Sequence, residues 1–285
     1  ALVMCVVAAN YHFMINHCPG VGGSYAYTKE VFGQDHAFLC GWYLWLVYIA
    51  LIWVNATVFT VIVRYLFGPV LQIGYLYNVA GYEVYLGEAL FSSFMLVLVG
   101  LLCIFQNQLS HVINTVFALL LFVCVVGVVI RMFGSVQNTS ISPAFMTGDQ
   151  APFAQILSVV ALAPWAFLGF EAVCHVSEEF RFPPRHTFVV MALALFCGAV
   201  VYALLVFLAI LRFPPIFPDW AAYIHSLGVH YDISALPTFT AVHTELGTNG
   251  LVVLGIAAVS AIATGMLGFY AATGRLTYAW ARDGL

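Results

Sequence analysis

The 285-residue chain is 64% hydrophobic and only 7% charged, with a net charge of −4 and a mean hydropathy of +1.02. Soluble domains carry about a quarter charged residues, so a soluble fold is excluded. There is no basic patch and no aromatic-basic platform, which excludes nucleic acid as a partner.

In chain order, residues 1–16 read as the end of one membrane helix, stopped by Pro19-Gly20-Val21-Gly22-Gly23. The polar stretch 24–33 reads as a short interfacial helix. Residues 36–66 form a long apolar span that opens on Trp42, Tyr43, Trp45 and Tyr48, an interfacial aromatic belt. Its length implies tilt, or extension beyond the hydrocarbon. A loop with Gly68-Pro69, Gly74 and Gly81 follows. Residues 87–105 and 110–133 make two further spans, joined by Gln106-Asn107-Gln108, and a loop covers 134–152. An interrupted segment runs over 153–180, and a polar turn through Pro183-Pro184 leads to a clean span at 187–211. A long loop with Pro214-Pro215, Pro218 and Pro237 covers 212–248, and a last span runs from about Gly250 to Ala281.

These runs are far longer than the roughly 10 residues of a barrel strand and do not alternate, so they predict an all-α membrane protein. Lys29, Arg181, Arg185, Arg275 and Arg282 fall in one set of loops, which the positive-inside rule assigns to the cytoplasm. The opposite set carries Arg64, Arg131 and Arg212 against Glu83, Glu88, Asp149, Asp219, Asp232 and Glu245. Cys5, Cys18, Cys40, Cys103, Cys124, Cys174 and Cys197 form no C-x-x-C and read as packing residues. The chain begins at Ala1 inside an apolar run and ends at Leu285, and it reads as an internal fragment.

The interrupted segment, Ala163-Pro164-Trp165-Ala166-Phe167-Leu168-Gly169-Phe170-Glu171, holds a proline, a glycine and a carboxylate. An ionised Glu at the bilayer centre costs about 2.5–3.5 kcal/mol on insertion scales. A broken helix is viable there only where protein or a water-filled cavity satisfies its freed backbone. The stretch therefore reads as the wall of a polar cavity. Glu171 reads as a carboxylate for a cationic substrate or a coupling proton, against a structural role tying two helices. His175, at i+4, shares its face. It reads as an interfacial histidine, with a proton relay to Glu171 as the alternative. The Glu171–His175 spacing is not that of carboxylate-bridged metal bundles, and no metal site is expected. Ala257, Ala261 and Gly265 recur at four-residue spacing and predict close helix packing. Asn55-Ala56-Thr57 and Asn138-Thr139-Ser140 fit a glycosylation sequon, the first inside a span. Gly20-Val21-Gly22-Gly23 is not a nucleotide loop.

Three stretches resemble one family. Pro19-Gly20-Val21-Gly22-Gly23-Ser24-Tyr25-Ala26-Tyr27, with Phe32-Gly33 and Gly41-Trp42 after it, resembles a motif of amino acid permeases of the amino acid–polyamine–organocation superfamily. Trp165 to Ala172, with Glu178-Glu179 and Pro184-Arg185, resembles the sixth helix of that family. Gly274-Arg275-Leu276-Thr277-Tyr278-Ala279-Trp280-Ala281-Arg282-Asp283-Gly284 resembles the end of its eighth. The resemblance implies the leucine-transporter-like fold of two inverted five-helix repeats. Residues 1–285 would form one partial transmembrane domain, from the end of the second helix to the eighth. The first helix, which holds the substrate carboxylate in the family, and the last four would be missing.

The resemblance further implies a secondary active transporter of amino acids or related amines, a multi-pass protein of the cell membrane. Its partners are the substrate and the lipid bilayer. No cofactor is expected, and coupling is to protons, to sodium or by exchange. The candidate substrate-binding set is Trp165, Ala166, Leu168, Gly169, Glu171 and Phe269, with Trp165 shielding the substrate and Phe269 approaching from the eighth helix. Tyr48 and Asn55 are lesser candidates. Glu171 and His175 are the proton-coupling candidates; the hydroxyls of Ser260 and Thr264 are the candidates for sodium. Residues 110–133 lack the lysine that some proton-coupled relatives carry. A seven-helix receptor binding an amine without transport is the alternative. A membrane hydrolase lacks a G-x-S-G or histidine-rich pattern.

Overall fold

A computed structural model of the chain describes residues 2–18, 20–79, 81–105, 107–133, 145, 151–180, 182–227 and 233–285. The Asn138 sequon, Asp149, Arg181 and Asp232 lie outside them. The helices are α1 (Leu2–His17), α2 (Ser24–Phe32) and the long α3 (Gln34–Phe67). Strands β1 (Tyr75–Val79) and β2 (Tyr82–Tyr85) pair antiparallel. Then come α4 (Leu86–Phe105), α5 (Asn107–Phe133), α6 (Pro152–Leu162), α7 (Thr187–Leu211), the short α8 (Trp220–His225) and α9 (Pro237–Arg282).

Among the described residues, six helical stretches are long and apolar enough to cross a membrane: Gln34–Phe67, Leu86–Ile104, Val112–Phe133, Pro152–Ser177, Pro184–Leu211 and Pro237–Arg282. Their outward faces carry bare apolar side chains such as Trp53, Leu90 and Phe196, each about three-fifths exposed. Such surface is stable against lipid, not water.

Helix α9 organises the bundle. It packs against α3, α4, α5, α7 and the interrupted segment. Its small residues permit this. A Cβ added to Gly265 would stand 3.3 Å from Oδ1 of Asn55 on α3, while Ala257 is buried in a cluster with Val125, Leu208 and Leu254. The central core joins Tyr48, Ile52, Ala56 and Phe59 of α3 to Met266, Phe269 and Leu276 of α9. Asn55 turns its amide to the Leu51 carbonyl of its own helix and faces Gly265.

Two connections differ from the sequence reading. Residues 75–85 form a hairpin, not a featureless loop. Its Tyr-Leu-Tyr-Asn-Val and Tyr-Glu-Val-Tyr runs carry the aromatic and β-branched types that favour strands, with Gly81 at the turn. The stretch before the last span is helical from Pro237, and Gly247 (φ 62°, ψ −154°) breaks the helix near the predicted start at Gly250. Proline at the first turn is a helix-start signal that its neighbouring prolines obscured.

Ion pairs mark the two ends of the bundle. Arg64–Glu88 and Arg212–Glu245 lie at one end, and Lys29–Asp283 at the other. Arg64 and Arg212 at the first end are thus each matched by a carboxylate.

Candidate functional site

The site begins where α6 ends. A tight 3-10 run, Ala163–Phe167, holds Pro164 in its first turn. The path is helical on both sides of it, so Pro164 removes one backbone donor to the preceding turn where α6 tightens. Leu168 is then extended (φ −61°, ψ 142°), and Gly169 adopts a left-handed conformation (φ 99°). A second 3-10 run, Phe170–Glu179, resumes the path. The interruption thus lies at Leu168–Gly169, inside the stretch singled out from sequence. Gly169 is required twice over. Its φ is one that side-chain-bearing residues rarely adopt, and an added Cβ would lie 3.1 Å from Cζ of Phe269.

Glu171 folds back on the break. Its Oε2 accepts the Gly169 N–H at 2.9 Å, satisfying one donor that the broken helix frees. Its Oε1 accepts from the Tyr48 hydroxyl at 3.5 Å. The same hydroxyl lies 3.0 Å from Nε2 of His175. His175 is 1% exposed and meets the Tyr48 ring edge-on, with centroids 5.6 Å apart. Phe269 closes the group, 5.9 Å from the Tyr48 ring. The structure therefore gathers Gly169, Glu171, His175, Phe269 and Tyr48 in one place. His175 is buried inside the protein, against the Gly23 loop. It reaches Glu171 through Tyr48, whose role the sequence left minor because the register of α3 could not be read.

The other candidates stand apart from this group. Trp165 is 66% exposed, and Ala166 and Leu168 are also exposed. The Ala166 carbonyl accepts from the Tyr202 hydroxyl of α7 at 2.8 Å, and Phe167 meets the Tyr202 ring edge-on. Ser260 is buried on α9, and the Thr264 hydroxyl donates to the Ser260 carbonyl of its own helix. Among the described residues no three His, Cys, Asp or Glu side chains group as metal ligands.

The opposite face of the interrupted segment lines a cavity of about 660 Å³, through Ala172, Val173 and Val176. Asn114 of α5 and Tyr270, Thr273 and Arg275 of α9 supply polar lining. Glu171 does not line it.

The three sequence motifs converge beneath the site. A Cβ on Gly23 would lie 3.0 Å from Cε1 of His175, so the glycine loop lets α2 pack flush on the imidazole. Ser177 donates to the Gly20 carbonyl at 3.0 Å. Gly22 meets Ala279 and Gly41 meets Trp280, both at the end of α9. Tyr25 donates to Asp283 at 2.6 Å, and Lys29 pairs with the same carboxylate at 2.7 Å. Lys29 and Tyr25 hold the Asp283 carboxyl below its usual range. Burial and the bond to Asp283 push the Tyr25 phenol up to about 12.

A family model described as "Amino acid permease" matches residues 1–285, the whole of the chain. No curated protein and no solved structure matches it.

Proposed function

Because the chain belongs to the amino acid permease family, we propose that it moves an amino acid or related amine across the membrane by alternating access, with the substrate held at the break around 165–171. The family is one of transporters, not an enzyme class, and the chain is a multi-pass protein of the cell membrane. The receptor alternative finds no support in the family match.

The observation that carries the reading is the Gly169 break with a carboxylate two residues on, inside a bilayer-spanning segment. Ionisable groups at such depth mark substrate or ion pathways. Broken helices at the midplane place backbone ends and polar groups around a substrate. Glu171 supplies negative charge for a substrate ammonium, and Gly169 and Phe269 shape the wall behind it. Trp165, Ala166 and Leu168 belong to this site in a state where the segment 163–168 has moved inward from α7. That movement would exchange the Tyr202–Ala166 bond for contact with substrate.

For coupling, Glu171 and His175 are favoured over Ser260 and Thr264. The first two are linked through one phenol able to pass a proton, whereas the Thr264 hydroxyl already donates within its own helix. Reconstituted into liposomes, the protein should take up or exchange a labelled amino acid saturably, with a rate that depends on pH and not on sodium. Absence of uptake and counterflow across a broad amino acid panel would overturn the transport reading. Sodium dependence without pH dependence would move the coupling to Ser260 and Thr264.

A further inference from the structure

We infer that the β1–β2 hairpin is a membrane-interface anchor, laid against the lipid headgroup layer beside the entry points of α3 and α4. The inference goes beyond transport and does not rest on it.

All five residues of β1 are exposed, and they are apolar or aromatic apart from Asn78. Tyr77 pairs with Val84 and Val79 with Tyr82, so these four share one face, and Tyr77, Val79 and Tyr82 are 39–56% exposed on it. A two-stranded hairpin is marginal by itself in water, and one with a bare apolar face needs an apolar or amphipathic surrounding. Tyrosine, with an apolar ring and a polar tip, is the residue type enriched at the headgroup level. Tyr75, Tyr77, Tyr82 and Tyr85 supply it here.

The occupant is identified as lipid by position and by charge. Strand β2 passes into the spanning helix α4 with no residue between Tyr85 and Leu86, so the hairpin starts at the membrane boundary. Phe67 at the end of α3 and Leu86 and Leu90 of α4, on the elements that flank the hairpin in the chain, are bare as well. Glu83 is the only charged residue from Tyr75 to Tyr85. Its carboxylate accepts from the Tyr85 hydroxyl at 2.6 Å, which lowers the cost of placing it near lipid.

The depth of the hairpin is fixed by Arg64. The guanidinium donates to both carboxylate oxygens of Glu88 and to the Glu83 carbonyl. It also lies 4.2 Å from the Tyr82 ring centroid and 5.7 Å from that of Tyr85. Those rings stand at opposite ends of β2, so one side chain holds the strand down across the helix ends. The loop before β1 is pinned as well, by Leu86 N–H to the Gly74 carbonyl at 2.7 Å and Gly87 N–H to the Ile73 carbonyl at 3.1 Å. A hairpin free to project into water would need neither restraint.

The test is photocrosslinking in native membranes. A benzophenone amino acid replaces Tyr77 in one variant and Val79 in a second, with Leu90 on α4 as the lipid-facing control. Irradiation followed by mass spectrometry should give phospholipid adducts at position 77 or 79 at a yield within a few-fold of the control. Adducts only to another protein or to a distant part of this chain would overturn the anchor. So would no lipid adduct at either position while the control gives one.

Discussion

Tyr48 and His175 meet through one hydrogen bond, Oη to Nε2 at 3.0 Å, across the contact between α3 and the interrupted segment. The Tyr48 hydroxyl has one hydrogen and two candidate acceptors, since Oε1 of Glu171 lies 3.5 Å away. If His175 donates from Nε2, the phenol hydrogen is free for Glu171. If Nε2 accepts, Glu171 loses it. The proton position on His175 thus decides what Glu171 is bonded to, through the Tyr48 hydroxyl that both side chains share.

Tyr48→Phe removes this bridge with little change of shape. A hydrogen bond to a charged group is worth about 1.5–3 kcal/mol, so transport should fall by roughly 10- to 100-fold. The measurement is uptake against substrate concentration at several pH values. Loss confined to the maximal rate, with a shifted pH profile, fits a proton bridge. Uptake equal to the parent across the pH range would leave Tyr48 as packing only.

Glu171→Gln keeps an acceptor for the Gly169 N–H and so preserves the local fold. It removes the charge. Transport should become less dependent on pH, and affinity for a cationic or zwitterionic amine should drop. A pH profile that overlays the parent would assign Glu171 to holding the break alone.

Gly169→Ala tests the contact between the break and α9. A non-glycine residue in the left-handed region costs about 1–2 kcal/mol, and the new Cβ would meet Phe269 Cζ at 3.1 Å. Uptake should fall by about 10-fold or more. Phe269→Leu in the same background removes the opposing ring edge and should recover part of the loss, leaving the backbone strain. Strictly additive effects in the double-mutant cycle would show that the two residues do not press on each other.

Sequence carried the helical spans well because bilayer spans need long apolar runs, and the interrupted helix announced itself through Pro164, Gly169 and Glu171 in eight residues. The end of α9 and the glycine loop were legible as motifs, but not as neighbours: Gly22 against Ala279 and Gly41 against Trp280 are contacts between residues more than two hundred apart. Tyr48 was missed as a centre because a 34-residue apolar helix has little amphipathic signal to fix its rotation. The hairpin was missed because its turn residues resemble any loop. Trp165 was read toward the substrate because its neighbours carry the motif, yet here it faces outward.

Asp283→Asn probes whether the motifs' convergence stabilises the molecule. Asp283 binds Lys29 at 2.7 Å and Tyr25 at 2.6 Å, joining α2 to the end of α9. Its carboxyl is held below its ordinary value of 3.8 by those partners. A lowered folded-state value means the stabilisation is present above the unfolded value and lost as pH falls through the folded one. Tyr25 has the reverse sense: with its phenol raised to about 12, the folded state loses stability as pH climbs from about 10 towards 12. The parent protein in detergent should therefore hold a flat melting temperature across neutral pH and decline at both extremes. Asp283→Asn should melt a few degrees lower at pH 7, because asparagine still accepts from Tyr25 but no longer balances the Lys29 charge. Lys29 is 40% exposed, so the pair belongs to the class worth about 1 kcal/mol or less, and high salt should narrow the gap. The acid-side decline should also be shallower in the variant, since one carboxylate whose protonation opposes folding has gone. An acid limb of unchanged steepness, together with an unchanged melting temperature at pH 7, would mean that α2 is held on α9 by Tyr25 and Trp280 packing alone.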